Sequence, residues 1–118
     1  MPAASLHTLP KGERLSGKRA VESLLKRGRY FSEGCLRVCH APSEQACSRI
    51  LVSVPKRNFK RAVKRNLLKR RIRESFRLEK EMLEGRPTDL MFFYTEKEVL
   101  PFETIRSAVK GALAAIAR

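Results

Sequence analysis

The densest chemistry in this 118-residue chain lies in residues 56–77, KRNFKRAVKRNLLKRRIRESFR, where eleven lysines and arginines meet one acidic side chain, Glu74. The segment carries +10 of a formal +14, so the rest of the chain is only mildly basic. Charge gathered in one block, rather than spread as a solubility coat, suits a polyanionic partner, above all nucleic acid. Arginine is apt for phosphate because its planar fork bonds two oxygens at once. Asn66 differs in kind: its amide both donates to and accepts from a base or sugar edge, and its carbonyl can hold a hydrated metal ion. The bland alternative is a solvated helix face or a localisation signal. Solvated faces usually mix signs, with glutamate four residues before lysine. Here no acid appears until Glu74.

Other candidate chemistry is sparse. Cys35, Cys39, His40 and Cys47 put four soft or imidazole ligands within thirteen residues, but without a paired CxxC spacing. They read as partly buried thiols rather than as a zinc site, and their odd number is a poor disulfide framework. The two histidines lie far apart, His7 sits in a polar leader, and Asp89 is the single aspartate. There is no nucleophile elbow, glycine-rich phosphate loop or HExxH pattern. No catalytic residue is expected in the protein, so if the chain serves an enzyme, the bond-breaking chemistry is supplied elsewhere.

The basic block needs an element to display it. On a helix over residues 61–83, at about 100° per residue, Leu68, Ile72, Phe76 and Leu83 share one side, with Leu67, Leu78 and Met82 extending it. Asn66, Lys69, Arg70, Arg73 and Arg77 fall within roughly a 100° arc on another side. Arg61 and Arg65 sit on the first turns, beside Lys56, Arg57 and Lys60 in the preceding loop. The helix N-terminus adds partial positive charge and free amides near that loop.

Around it, the spacing predicts a first helix over residues 16–27, capped by Ser16 and stopped at Gly28. Residues 29–40 switch to period two, with Gly34 a bend, and residues 41–48, APSEQACS, read as a hairpin loop. A strand over residues 49–54 puts Ile50, Val52 and Val54 on one face. Residues 90–94 are apolar on both faces, which suits an interior strand. A last helix starts near Pro101, with a stripe through Ile105, Ala108, Val109, Ala112, Leu113 and Ile116. The expected fold is α+β: a small two-layer α/β sandwich of order α-β-β-(β)-α-β-α with a central crossover helix. The general rule makes such a crossover right-handed if its strands are parallel.

The length allows one domain with one modest core. We expect a flexible arm over residues 1–13 and a single nucleic-acid-binding α/β domain over residues 14–118. No apolar run reaches the length of a membrane span, and the first residues lack a signal peptide's apolar segment, so the cytoplasm is the default location. Two rival functions fit the charge: a ribosomal-protein-like RNA binder, and a DNA-binding regulator using the basic helix in a major groove.

Residues 65–77, RNLLKRRIRESFR, resemble the signature of the bacterial ribonuclease P protein subunit, a helix with a pattern close to R-N-R-x-K-R-x-x-R-E-x-F-R. The preceding SVPKRNFKRA, the N-terminal RLSGKRAVESLLKRG, the DLMFFY strand and the closing helix extend the similarity over roughly residues 9–117. The resemblance implies a left-handed central crossover, against the general rule. It implies a protein without its own active site, partnered one-to-one with a large catalytic RNA. That RNA uses Mg²⁺ to hydrolyse one phosphodiester, removing the 5′ leader from precursor tRNA; no organic cofactor is implied. The family's RNA-contacting positions fall on Lys56, Arg57, Lys60, Arg61, Arg65, Asn66, Lys69, Arg70 and Arg73.

The family also holds the single-stranded leader in a cleft between the sheet and the first helix. Its often aromatic positions are Val21, Leu25 and Cys39 here; Tyr30 and Phe31 lie just beyond that helix and either replace the stacking or pack in the core. Leu67 stands where the motif has its second arginine, so that contact is either absent or taken over by a neighbour such as Arg71.

Overall fold

The computed structural model describes residues 14–118, so the arm expected over residues 1–13 lies outside the described residues. The elements are α1 (Lys18–Arg27), β1 (Arg29–Glu33), β2 (Leu36–Pro42), β3 (Arg49–Ser53), α2 (Ala62–Glu79), a 3₁₀ turn (Lys80–Leu83), β4 (Thr88–Tyr94) and α3 (Phe102–Ala117). The four strands form one mixed sheet in the order β1-β2-β4-β3. β1 pairs with β2 and β2 with β4 antiparallel, while β3 runs parallel to β4. The basic helix is therefore the crossover between two adjacent parallel strands, as the expected α+β order requires.

The central place of β4 explains the main topological correction. Residues 41–48 are not a hairpin loop, because β4 sits between β2 and β3. Six of the seven β4 residues are buried, and such a strand gains most from a neighbour on each edge. The tight turn lies earlier, at Gly34 and Cys35, between the paired residues Glu33 and Leu36. Gly34 has φ +55°, a conformation that glycine adopts without strain.

Alternation along the strands sorts side chains into two cores. Leu36, Val38, Ile50, Val52, Leu90, Phe92 and Tyr94 face α2 and α3 in the larger one. Cys39, Ala41 and Met91 face the other way and pack with Leu15 and Leu24 beneath α1. α2 and α3 with the sheet thus make the two layers, and α1 covers part of the second face.

Local details depart from the predicted boundaries. α1 begins at Lys18: its N-cap is Gly17 at φ 91°, whose carbonyl accepts from the Val21 amide at 3.1 Å, and no side chain caps the helix, so Ser16 does not serve as predicted. α2 ends at Glu79 and tightens into the 3₁₀ turn, which changes the angular phase of later side chains. Leu83 stays buried, but Leu78 and Met82 are exposed and do not extend the apolar face.

Gly28 marks where α1 lies closest to the sheet. A Cβ there would overlap Cys39 Sγ and come 2.6 Å from the Leu24 carbonyl oxygen. Gly28→Ala is expected to cost about 1–3 kcal/mol through overpacking. Urea denaturation checks this, and an unchanged midpoint would mean that α1 can rise off the sheet freely.

Candidate nucleic-acid interface

α2 docks through Leu68, Ile72, Ser75 and Phe76, all fully buried. Across the helix, Asn66 and Arg70 are exposed while Lys69 and Arg73 are half-buried. Burial, and then the nearby charge of Arg14, lower the Arg73 pKa, but a guanidinium stays charged throughout the working range. The four groups share one solvent-facing side, and none has a carboxylate partner among the described residues. Arg77, on the same predicted arc, is ion-paired with Glu74 and so contributes little free charge.

Two other arginines of the block are held by backbone. Arg71 is half-buried and donates from Nη1 to the Leu100 carbonyl, at 2.5 Å. It faces the β4–α3 connection and cannot replace the arginine that Leu67 lacks, a correction that follows from the helix phase. Arg65 donates from Nη1 to the carbonyls of Phe59 and Lys60, at 2.7 and 2.9 Å.

The loop over residues 55–61 is a compact turn. The Pro55 carbonyl accepts from the Asn58 and Phe59 amides at 3.2 and 3.3 Å. Phe59 is buried, its ring 5.9 Å from that of Tyr94. This anchoring leaves Lys56, Arg57, Lys60 and Arg61 exposed. A cavity of about 430 Å³ opens beside the loop, edged by Lys60, Arg61, Lys64 and Lys97 against one acid, Glu98.

The second candidate region, between α1 and the sheet, is only partly as predicted. Val21 and Leu25 are half-buried on the side of α1 that meets the sheet. Cys39 is fully buried beneath α1, its thiol donating to the Leu24 carbonyl at 3.6 Å, and burial raises its pKa. It cannot touch a ligand there. Phe31 lies on the opposite face, against the larger core and edge-on to His40 at 5.5 Å, so it does not line this cleft. The reason is strand alternation: its neighbour Tyr30 points to the α1 side. Tyr30 is 43% exposed, donates to the Leu25 carbonyl at 2.9 Å, and carries the Arg37 guanidinium 5.3 Å from its ring centre.

Arg37 and Phe93 are the residues that sequence reasoning missed. With Tyr30, Pro55, Arg57 and Asn58 they line a cavity of about 360 Å³ on the α1 side of the sheet. The signal was present: in a period-two strand Phe93 shares a face with Met91, opposite Phe92. The cysteines do not converge either, since Cys35 joins the larger core and Cys39 the smaller. Among the described residues no helix is long and apolar enough to cross a membrane.

Comparisons with known proteins converge on one family. The family model described as Ribonuclease P matches residues 9–117. A ribonuclease P protein component from Porphyromonas gingivalis is 32% identical, over 99% of this chain and 92% of the relative. One from Borreliella burgdorferi is 34% identical, over 82% of this chain and 83% of its own. The RNase P protein of Thermotoga maritima superposes with a TM-score of 0.76 at 26% identity, covering 87% of this chain and 96% of that one. The Staphylococcus aureus RNase P protein shares the fold, with a TM-score of 0.77 at 22% identity over 90% and 96% of the two chains.

Proposed function

Because the chain belongs to the bacterial ribonuclease P protein family, we propose that it binds the catalytic RNA of that endoribonuclease through α2 and the loop before it, and the 5′ leader of precursor tRNA beside α1. One observation carries the reading: the cationic side of α2, from Asn66 to Arg73, has no carboxylate partner among the described residues and runs toward four exposed cations in the loop over residues 55–61. Phosphate is what such a surface lacks.

The work of these residues is electrostatic. Two RNAs brought together repel, and Lys56, Arg57, Lys60, Arg61, Lys69 and Arg70 lower that cost by neutralising phosphates and releasing counterions. Among the described residues no group of three metal-ligating side chains forms, and Asp89 is occupied by Arg27 and Arg49, so this reading assigns Mg²⁺ to the RNA. The ion would be held by the RNA and would supply activation of water there, and the exposed Asn66 amide would reach its hydration shell. On the leader side, Tyr30 and Phe93 offer faces for bases, and Arg37 and Arg57 offer charge to the sugar–phosphate chain. Stacking contributes ~1–3 kcal/mol per base where it occurs. The complex contains one copy of this chain per RNA and works in the cytoplasm.

Reconstitution tests this. Added to ribonuclease P RNA at limiting Mg²⁺, the purified chain should accelerate removal of the leader from precursor tRNA, with a smaller gain at high Mg²⁺. No acceleration at any protein-to-RNA ratio, together with cosedimentation on ribosomal subunits, would favour the ribosomal-protein-like alternative.

A further inference from the structure

We infer that Arg65 is a positioning residue: it tethers the basic loop over residues 55–61 and acts on RNA through that loop rather than by its own phosphate contact. For its functional consequence the inference rests on the RNA-binding reading above; the tether itself does not.

The loop has an electrostatic problem. Lys56, Arg57, Lys60 and Arg61 lie within six residues, with Lys64 on the next turn, and no acid stands among them. Mutual repulsion favours splaying, and α2 has neither a capping side chain nor an acid in its first turn to draw the loop in. A carboxylate tether would discharge the surface that it organised. Arg65 avoids this by bonding to carbonyl dipoles, which carry no net charge. Its Nη1 donates to the carbonyls of Phe59 and Lys60, at 2.7 and 2.9 Å, and so fixes the backbone from which Lys60 and Arg61 project. The guanidinium is half-buried in doing so, whereas Lys60 and Arg61 remain exposed.

The loop also separates the two cavities. Asn58 lines both, Arg57 faces the one with Tyr30 and Phe93, and Lys60 and Arg61 face the other. A single tether therefore sets the relation between the catalytic-RNA side and the leader side. A direct phosphate contact through the remaining Nε and Nη2 is the competing account, and the two differ in additivity. Residues that act through one another are coupled, whereas independent contacts add.

The test uses the full chain with ribonuclease P RNA, in four forms: unchanged, Arg65→Ala, Lys60→Ala/Arg61→Ala, and all three substitutions together. Arg65→Ala should weaken RNA affinity tenfold or more in the unchanged background, but less than twofold once Lys60 and Arg61 are gone. In the free protein it should speed amide exchange at Asn58 and Phe59, while Arg70→Ala should not. Equal losses in both backgrounds, no loss at all, or unchanged exchange would each overturn the inference. If Arg65→Ala loses its helical circular dichroism, Arg65→Gln replaces it in the same comparison. Should the unchanged chain fail to bind the RNA, the RNA-binding reading fails, and the exchange comparison still decides whether the tether exists.

Discussion

Asp89→Ala is expected to lower the free energy of unfolding by about 3 kcal/mol, because removing one partner of a buried ion pair leaves the other charge uncompensated. Asp89 is 1% exposed and accepts from Arg49 Nε and Nη2, each at 2.9 Å, and from Arg27 Nη2 at 3.2 Å. Arg27 also donates to the Pro42 carbonyl at 2.8 Å, so one carboxylate ties α1 to β3, β4 and the end of β2. The arginines keep some solvent access, which places the expected loss at the lower end for buried pairs. Arg27→Ala should cost less, near 1 kcal/mol, since Arg27 is the more exposed partner and can be replaced by water. Urea unfolding of the two variants checks both values. If Asp89→Ala behaves like an ordinary surface substitution, α1 is held by its apolar contacts and its other hydrogen bonds, to Tyr30, Cys39 and Pro42. In that case the cavity beside Tyr30 does not depend on this tie.

Lys69→Ala/Arg70→Ala should weaken binding to ribonuclease P RNA by roughly 100-fold at low salt, at about 1.5 kcal/mol for each charge-assisted hydrogen bond removed. The slope of log K against log salt should become shallower by about 1.4, near 0.7 for each single-strand phosphate that is no longer neutralised. Helical circular dichroism should not change, as neither side chain takes part in the buried face that Leu68, Ile72 and Phe76 form. Arg77→Ala is the matched control. Its guanidinium is already paired with Glu74, so removing it should alter affinity and slope little. An affinity loss for Arg77→Ala equal to that of the double variant would put the RNA further along α2 than proposed. A double variant with an unchanged slope would mean that these two cations meet no phosphate.

Much of this protein is legible in its sequence because the relevant signals are local. The apolar stripe of α2 and the cationic side across from it follow from one helical period, and the motif over residues 65–77 lies on a single element. The stripe of α3, from Ile105 to Leu113, follows in the same way and is buried as expected. Even the interior place of β4 is legible, since a strand apolar on both faces has few other positions open to it.

The remainder depends on residues distant in the chain. That β4 inserts between β2 and β3 is a matter of long-range pairing, which residues 41–48 cannot signal by themselves. Phe31 and Tyr30 differ only in parity, and parity acquires meaning once α1 has chosen a face of the sheet. Arg65, Arg70 and Arg71 carry the same guanidinium; the fold makes the first a tether to Phe59 and Lys60, the third a tether to Leu100, and leaves the second facing solvent. Amino-acid order thus determined which elements form and how much charge they carry. Three-dimensional packing decided which charges are satisfied by the protein's own carbonyls and carboxylates and which stay open to solvent, because a hydrogen bond depends on distances that only folding creates.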